Sequence, residues 1–346
     1  MSALLRFELA RACDILLRDL LKLKADESLI ITADTESDVA VVEGVASSAY
    51  SLGAKPLVIY MPTPGGVSKA ADPDLPIDAL TGCLSGADCW VEFNKKWILY
   101  STVYLKSMEA NKRLRHYCLT GTTTRMMVSC IGKINYPQMF TLNDLLATMI
   151  KKASQIKMTT PAGCNIEFIN YADQPILSGT GLADAPGTHF MAGQINWTPQ
   201  PDSVNGTIVF DGSVAPAIGL ISSPISLHVE NGRVMAVEGG NEAKIFKEWM
   251  YSFNDEQMLR IAHTGLGFNP QAKLSGDLLE DQRIFGSSTW AVGSIGAALL
   301  PPNGVSAPSH SDGVCLNTSV WFDGEQVLEN GQFIEPELSK LAKGLG

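Results

Sequence analysis

A histidine and an aspartate stand two residues apart near the carboxyl end of the chain, in the triplet His310-Ser311-Asp312. The triplet follows a proline-rich loop and precedes a strand-like segment, residues 313–321. In an extended chain, residues i and i+2 project from the same face. One imidazole and one carboxylate can then bind a single cation. The triplet therefore predicts two ligands of a metal site.

A third ligand is needed, and His263 is the best candidate for it. This histidine is predicted to end a helix-like segment, residues 256–262, and to open a glycine-punctuated loop, residues 264–270. A helix end beside a loop of small residues would hold a ligand rigidly next to an open cavity. The alternative is a histidine that only satisfies the last carbonyl groups of a helix.

Two histidines and one carboxylate are the ligand set that leaves coordination positions open on non-haem Fe(II). Zinc is the alternative metal for two nitrogens and one oxygen, and it usually serves a hydrolase through a bound water. The three residue types alone leave both metals open.

The sequence lacks the motifs of several other enzyme classes. There is no H-E-x-x-H segment of a zinc protease and no G-x-S-x-G turn of a serine hydrolase. There is also no G-x-G-x-x-G and no Walker A segment, so the sequence does not support a nucleotide pocket. A metal site formed by the two histidines and the aspartate is therefore the candidate functional site that remains.

The first half of the chain alternates short apolar segments with amphipathic ones. Strands are predicted at residues 28–32, 56–61, 89–93 and 116–120. Helices are predicted at residues 4–22, 38–52, 103–114 and 143–156. This alternation is typical of a doubly wound, mostly parallel sheet.

The second half is punctuated by turn dipeptides. They are Asn205-Gly206, Asp211-Gly212, Asn231-Gly232, Asp323-Gly324 and Asn330-Gly331. Such pairs supply the positive φ of tight hairpins, so this half is predicted to hold an antiparallel sheet. We therefore predict an α/β domain over residues 1–155 and an α+β metal-binding catalytic domain over residues 156–346.

The composition limits the class of partner and the compartment. Among 346 residues, 26 lysines and arginines stand against 36 acidic residues, a net charge of −10. An acidic surface repels phosphate and anionic lipid, so a small molecule is predicted as the partner, with no nucleic acid and no membrane. The seven cysteines form no C-x-x-C pair and residues 1–23 lack the apolar core of a secretion signal, which together predict a cytoplasmic protein.

Three segments resemble a known family. Residues 262–270 (AHTGLGFNP), 281–283 (DQR) and 310–312 (HSD) are similar to those of the 2,5-dihydroxypyridine 5,6-dioxygenase family, which is structurally related to the M29 aminopeptidases. The resemblance implies an M29-aminopeptidase-like fold, with a mononuclear Fe(II) held by His263, His310 and Asp312. It also implies extradiol-type ring opening of a hydroxylated pyridine by O₂, from 2,5-dihydroxypyridine to N-formylmaleamate or for a close analogue.

The resemblance assigns two further residues. By position, His189 looks like an acid/base residue near the bound ring, a task that suits an imidazole near neutral pH. Its alternative is a histidine of a surface loop. Arg283 looks like a cation that orients the substrate, and its alternative is an ordinary salt bridge to Glu280 or Asp281.

The sequence departs from the family at one place. The dihydroxypyridine enzymes carry a further histidine in the N-terminal domain, and the corresponding residues 97–108 contain none. They offer Tyr104, which can donate a hydrogen bond but is a poor base, because a tyrosine pKa lies near 10. Tyr104 is therefore predicted as a catalytic residue, and the ring substituents of the substrate stay open.

Two other functions compete with the ring-cleaving dioxygenase. An M29-like metallo-aminopeptidase is the runner-up, although hydrolases with two metal ions need more ligands than these three. A binding protein that kept the fold and lost the chemistry ranks last. The resemblance implies a role in nicotinate degradation or related catabolism of N-heterocycles, and a two-domain metabolic enzyme of this size is expected to be a homo-oligomer.

Overall fold

A computed structural model of the chain describes residues 3–170 and 173–346. Its strands, numbered in chain order, are β1 Ser28–Asp34, β2 Lys55–Met61, β3 Cys89–Glu92, β4 Arg115–Cys118, β5 Gln155–Thr159, β6 Asn165–Ile169, β7 Ile176–Gly179, β8 Gly187–Phe190, β9 Gln194–Trp197, β10 Asn205–Phe210, β11 Ser213–Ala215, β12 Gly219–Leu220, β13 Ile225–Glu230, β14 Arg233–Gly239, β15 Ile261–Gly267, β16 Ser288–Ile295, β17 Val305–Cys315, β18 Ser319–Phe322, β19 Glu325–Glu329 and β20 Gln332–Phe333. Its α-helices are α1 Ala3–Asp14, α2 Val39–Ser51, α3 Ile77–Ser85, α4 Thr102–Ala110, α5 Thr124–Met126, α6 Tyr136–Lys152, α7 Asn241–Ser252, α8 Leu278–Asp281 and α9 Pro336–Ala342.

The described helices include none that is both long enough and apolar enough to cross a membrane. Shorter π-helical and 3₁₀ turns occur at Ile15–Leu20, Ser68–Asp74, Met127–Ile131 and Glu256–Leu259.

The chain forms two compact units, and each contains two segments. The first unit is Met1–Ile134 with Gly181–Ala192, and the second is Asn135–Thr180 with Gly193–Gly346. The contacts thus group helix α6 with the second unit and strand β8 with the first, in contrast to the single division predicted between residues 155 and 156. That division stays a prediction of domain organisation.

The first unit is built on a five-stranded sheet in the order β2-β1-β3-β4-β8, and all its pairs are parallel. The first four strands lie where the alternating pattern predicts them. Strand β8 was not predicted, because its sequence Gly-Thr-His-Phe is short and lacks an apolar run. The predicted doubly wound parallel sheet is confirmed, with one additional strand.

Helix α2 shows how local sequence sets the elements of this unit. The Asp38 side chain accepts a hydrogen bond from the Ala40 N–H and begins the helix. Val41, Val42 and Val45 then form its fully buried face. An N-cap carboxylate satisfies a backbone donor that the helix leaves open, and the apolar stripe supplies the packing.

The second unit holds two antiparallel sheets. One has eight strands in the order β14-β13-β10-β6-β5-β18-β19-β20, and the other has seven in the order β12-β11-β17-β16-β15-β9-β7. Asn231, Asp323 and Asn330 adopt positive φ at hairpin turns, as their Asn-Gly and Asp-Gly dipeptides predict. Asn205 and Gly206 instead begin strand β10 and pair with β6, so the turn predicted there is wrong. The antiparallel second half is confirmed.

Two predicted elements differ in the structure. Helix α6 begins at Tyr136 rather than near residue 143, because the Asn135 side chain accepts a hydrogen bond from the Gln138 N–H and so caps an earlier start. The helix predicted over residues 256–262 is a 3₁₀ turn, Glu256–Leu259, followed by strand β15. That strand is buried along its whole length between β9 and β16, so it lacks the alternation that identifies a half-exposed strand.

Candidate metal centre

The three predicted metal ligands lie on two strands of the seven-stranded sheet. His263 is the third residue of β15, whereas His310 and Asp312 lie on β17. Strand β16 separates these two strands and pairs with both. The extended conformation predicted for His310 and Asp312 is confirmed, and His263 lies in a strand instead of at a helix end.

The three side chains converge. Their nearest ligand atoms lie within 4.8 Å of one another. The Nε2 atom of His263 is 3.3 Å from Oδ1 of Asp312, and the Nε2 atom of His310 is 3.2 Å from Oδ2 of the same carboxylate. Each imidazole therefore faces a different oxygen of one aspartate.

Irregular pairing directs the two histidines. The register shifts between Ile261 and Thr264 on β15, and again beyond Gly293 on β16, which lies opposite His310. Such bulges re-aim side chains at the ends of regular pairing. Gly293 has a φ of +98°, and a Cβ there would lie 2.4 Å from the Ser309 carbonyl oxygen, so only glycine fits beside this part of β17.

A backbone carbonyl group fixes the orientation of His310. The Nδ1 atom of His310 donates a hydrogen bond to the Ser294 carbonyl oxygen at 2.8 Å. Because a carbonyl oxygen only accepts, Nδ1 carries the proton and Nε2 faces the aspartate with its lone pair when the ring is neutral. This is the tautomer that a metal-binding histidine needs.

The buried charges change the acidity of both partners on β17. Burial raises the pKa of Asp312, but the charges and hydrogen bonds of His310 and His263 outweigh it and hold this pKa well below its usual range. Burial lowers the pKa of His310, but the Asp312 carboxylate opposes it and the net pKa is raised. The aspartate is therefore ionised, and the site carries negative charge whenever its histidines are neutral.

The donor set fits a divalent cation. With neutral rings, the lone pair of the His310 Nε2 atom faces an electron-rich carboxylate oxygen, a contact that only a shared proton or a cation relieves. The Nδ1 atom of His263 is buried and makes no hydrogen bond with any residue that the structure describes. Two imidazole nitrogens and one carboxylate oxygen suit iron or zinc and leave coordination positions for other ligands.

His189 lies in the first unit on strand β8. It is half-buried, and its Nε2 atom donates to the Ala185 carbonyl oxygen at 2.7 Å. Burial is the largest influence and lowers its pKa, while hydrogen bonds to the carbonyl groups of Ala185 and Leu182 act in the opposite direction. The net effect lowers the pKa of His189, and the residue is part of a sheet rather than of a surface loop.

Tyr104 also belongs to the first unit and lies on helix α4. Its hydroxyl group forms a 2.9 Å hydrogen bond with the Thr188 hydroxyl group. Burial is the main cause that raises the Tyr104 pKa above 10, so the phenol stays protonated. Thr188 and His189 are successive strand residues and project to opposite faces, so Tyr104 and His189 meet different faces of β8.

Arg283 follows helix α8 in the second unit and is only 3% exposed. Its Nη1 atom donates a 2.5 Å hydrogen bond to the Leu279 carbonyl oxygen. The Asp281 carboxylate accepts backbone hydrogen bonds from Ser275 and Gly276. Arg283 is therefore anchored within its own loop.

Sequence reasoning missed two supporting groups. The Ser294 carbonyl group that orients His310 is a backbone atom, so no residue type signals it. Thr188 was overlooked because a single threonine beside His189 has no distinctive pattern. Its hydrogen bond with Tyr104 depends on the pairing of β8 with β4, which joins segments about 70 residues apart in the chain.

Comparison with known proteins identifies the family. A family model described as 2,5-dihydroxypyridine 5,6-dioxygenase matches residues 10–335. A curated 2,5-dihydroxypyridine 5,6-dioxygenase of Pseudomonas putida strain KT2440 is 26% identical over 209 residues, which span 56% of this chain and 58% of that relative. The matched region is thus somewhat more than half of the relative's length.

Two solved structures share the fold. The 2,5-dihydroxypyridine dioxygenase of Pseudomonas putida KT2440 superposes with a TM-score of 0.78 at 20% identity, covering 98% of this chain and 99% of that one. The M29 aminopeptidase AmpT of Thermus thermophilus superposes with a TM-score of 0.71 at 14% identity, covering 95% and 99%. The predicted M29-aminopeptidase-like fold is confirmed. Because the family model spans most of the sequence, the chain belongs to the 2,5-dihydroxypyridine 5,6-dioxygenase family.

Proposed function

We propose that the chain is an Fe(II)-dependent, ring-cleaving dioxygenase that acts on a hydroxylated pyridine. The proposed reaction converts 2,5-dihydroxypyridine to N-formylmaleamate, or acts likewise on a close analogue, with both atoms of O₂ incorporated. The observation that carries the proposal is the convergence of His263, His310 and Asp312 in a chain of this family.

In this proposal the three residues hold one Fe(II) through two imidazole nitrogens and one carboxylate oxygen. Iron with open coordination positions would supply the redox chemistry that allows O₂ to react with an aromatic ring. Asp312 contributes the negative charge that offsets the cation, and the Ser294 carbonyl group keeps His310 in the binding tautomer. The protein's contribution is a fixed, pre-oriented ligand set.

The remaining proposed residues handle protons and orientation. His189 is proposed as the acid/base residue, because burial lowers the pKa of its imidazole and so favours the form that accepts a proton. Tyr104 is proposed as a catalytic hydrogen-bonding group, because its protonated phenol lies half-exposed on α4. Arg283 is proposed to orient the substrate, an assignment supported by the family resemblance of its segment.

The test is anaerobic reconstitution with Fe(II), followed by oxygen-electrode assays with a panel of dihydroxypyridines and trihydroxypyridines. We expect about one iron per chain and oxygen uptake with at least one member of the panel. Asp312→Asn should abolish both, whereas His228→Ala, a histidine on β13 paired with Glu238, should leave both unchanged. Full turnover by Asp312→Asn would refute the proposed site.

A hydrolase of the aminopeptidase type is not favoured by the site. Among the described residues, the histidine, cysteine and acidic side chains that could hold a metal form one group of three. Hydrolases with two ions need several further bridging or terminal carboxylates. Two zinc, cobalt or manganese ions per chain, together with peptidase activity, would reverse this choice.

We also propose that the enzyme works in the cytoplasm as a homo-oligomer, in nicotinate degradation or related catabolism of N-heterocycles. The cysteine pattern supports a reducing compartment, and metabolic enzymes commonly form closed symmetric assemblies. Light scattering of the purified protein measures the number of subunits, and a single monomeric species would contradict the proposed assembly.

A further inference from the structure

The seven-stranded sheet of the second unit has one face in the core and one face that carries the proposed metal ligands. Trp290 on β16 and Trp197 on β9 contact Phe168 of β6, with ring centroids 5.5 and 6.4 Å apart. Because β6 belongs to the eight-stranded sheet, this face lies in the core between the two sheets. Ala291 follows Trp290 and pairs with Asp312, so both lie on the opposite face, here called the metal face. A ligand of the metal site must therefore approach from the metal face.

The metal face extends across the sheet to strand β9. On β16, Thr289 lies two residues before Ala291, and alternate residues of a strand share a face. Thr289 pairs with Gly265 of β15, and Gly265 pairs with Asn196 of β9. These pairs are regular, because the register shift of β15 lies nearer its start. Asn196, and Gln194 two residues before it, therefore belong to the metal face.

Glycines leave space on the metal face beside the metal ligands. Gly265 lies two residues beyond His263, a distance of about 7 Å along a strand. A Cβ on Gly265 would collide with the Asn196 Oδ1 atom, so the Asn196 amide lies directly over this glycine. A Cβ on Gly267 would collide with backbone atoms of loop 282–287, which closes the face at that end. The space from His263 to the amide is on the scale of one substituted six-membered ring.

Gln194 and Asn196 form a hydrogen-bonded pair of amides. The Gln194 Nε2 atom donates to the Asn196 Oδ1 atom at 3.0 Å, and neither amide makes another side-chain hydrogen bond with the described residues. The pair therefore keeps one amide oxygen and one NH₂ group unused. Exchanging O and N in both amides reverses their roles and leaves the same balance of one acceptor and one donor. Gln194 is only 3% exposed, and unused hydrogen-bonding capacity is costly at such a position.

A third polar group on the metal face is buried without a partner. Thr289 is 0% exposed, and its Oγ1 atom makes no hydrogen bond within the described part of the chain. Thr289 lies across Gly265 from Asn196. Buried polar groups are nearly always hydrogen-bonded, to protein or to a bound molecule. Three neighbouring side chains thus leave hydrogen-bonding positions for a ligand.

A pyridine with a hydroxyl group at C2 has an edge that complements the amide pair. In its lactam tautomer the ring N–H donates a hydrogen bond, and the neighbouring carbonyl oxygen accepts one. One amide oxygen and one amide NH₂ group match this edge. A hydroxyl group at C5 lies on the opposite side of the ring. With the lactam edge at the amide pair, the C5 hydroxyl group is directed toward the metal ligands.

We propose that Gln194 and Asn196 bind the lactam edge of the hydroxylated pyridine and so select 2-hydroxypyridines over carbocyclic phenols. Both are specificity-determining residues, and Thr289 lines the same site. The inference rests on the proposed function, since it concerns the substrate of that reaction. Every residue of the site lies in the second unit.

Anaerobic calorimetry of the Fe(II)-loaded protein tests this selection without turnover. The probes are 2,5-dihydroxypyridine and hydroquinone, which keeps two hydroxyl groups on opposite sides of the ring and lacks the ring nitrogen. We expect the wild type to bind the pyridine at least about 10-fold more tightly, the effect of one hydrogen bond. The same titrations of the metal-free protein should show weaker binding with the same preference.

Two variants remove the hydrogen bonds and keep the size of the side chains. Asn196→Leu and Gln194→Met should each raise the Kd of 2,5-dihydroxypyridine about 10-fold and change the Kd of hydroquinone less. Asn165→Leu is the matched control, because this exposed asparagine lies on β6 of the other antiparallel sheet. Urea titration shows whether Gln194→Met, at a buried position, is folded under the assay conditions. Asn196 is partly exposed and gives the same comparison if that variant unfolds.

The outcomes separate the amide pair from the function on which it rests. Equal affinity of the wild type for both probes overturns the selection, and so does an equal loss of both affinities in Asn196→Leu, which would indicate lost packing. A wild type that prefers the pyridine but consumes no O₂ with it refutes the proposed function alone. An active wild type, with Asn196→Leu binding the pyridine as tightly as Asn165→Leu does, refutes the amide pair alone.

Discussion

His263 and His310 lie on different strands, yet their rings are within 22° of parallel and their centroids are 5.2 Å apart. Asp312 lies between them, with one carboxylate oxygen toward each Nε2 atom. The aspartate is the contact that the two imidazoles share, because the strands that carry them are not paired with each other. Loss of Asp312 should therefore disturb both histidines, whereas loss of either histidine leaves one contact intact.

The first prediction concerns metal affinity. His310→Ala and Asp312→Asn should each weaken Fe(II) binding by at least about 100-fold, since even groups that only support ligands contribute 10- to 100-fold. Anaerobic calorimetry or metal analysis after gel filtration measures the loss. His228→Ala is the control, because this histidine lies on the other antiparallel sheet. Retention of stoichiometric iron by both site variants would rule out this ligand set.

The second prediction concerns the pH dependence of stability in metal-free protein. The raised pKa of His310 gives stability that is complete below the ordinary histidine pKa of about 6.5 and is lost as the pH rises through the raised value. The lowered pKa of Asp312 gives stability that is present above the ordinary aspartate pKa of about 3.9.

The difference in unfolding free energy between wild type and Asp312→Asn should therefore be larger at pH 6 than at pH 9. Urea titrations of both proteins at the two pH values measure it. A difference that grows toward pH 9 would contradict the ion pair between His310 and Asp312.

The third prediction tests the packing beneath the site. A Cβ on Gly313, next to Asp312, would lie 2.4 Å from the ring of Phe210, which is buried. Gly313→Ala should lower the free energy of unfolding by about 1–3 kcal/mol through overpacking, and should weaken metal binding. Gly296→Ala is the matched control, because a Cβ there meets nothing within 4 Å. Equal stability of the two variants in urea would show that the Phe210 ring moves aside freely.

The fourth prediction concerns His189. Because burial lowers its pKa, the acid limb of the pH profile of kcat/KM should lie below pH 6.5. His189→Gln should lower kcat by about 100-fold or more and remove that limb. Steady-state oxygen uptake from pH 5 to 9 gives both values. An unchanged acid limb in the variant would assign it to another group.

The fifth prediction separates two roles of Arg283. The buried hydrogen bond to the Leu279 carbonyl oxygen predicts that Arg283→Met lowers the free energy of unfolding by about 1–3 kcal/mol. If Arg283 also orients the substrate, KM should rise at temperatures where the variant is fully folded. Stability measured by urea titration and KM measured by oxygen uptake distinguish these effects. A stable variant with unchanged KM would refute both.

The sequence was informative where chemistry and pattern are local. The spacing of His310 and Asp312 predicted a shared face, and the structure places both on β17 with their side chains converging. The Asn-Gly and Asp-Gly dipeptides predicted hairpins because positive φ is a property of those residues themselves. The alternation of short apolar segments with amphipathic ones predicted the parallel sheet, because it too can be recognised within single segments of the sequence.

The predictions that failed concern elements whose structure depends on long-range contacts. His263 was placed at a helix end because β15 is buried on both faces and shows no alternation. Strand β8 was missed because it pairs with β4, about 70 residues earlier in the chain, and its own sequence has no strand signal.

The interleaved path of the chain has a consequence for synthesis on the ribosome. The edge strand β8 of the parallel sheet is translated only after residues Asn135–Thr180, which belong to the other unit. A nascent chain that has emerged as far as helix α6 therefore holds four of the five strands, with the β4 edge still uncovered. Unpaired strand edges invite misassociation. The interval between translation of β4 and of β8 is therefore when we expect this sheet to be most prone to misassociation.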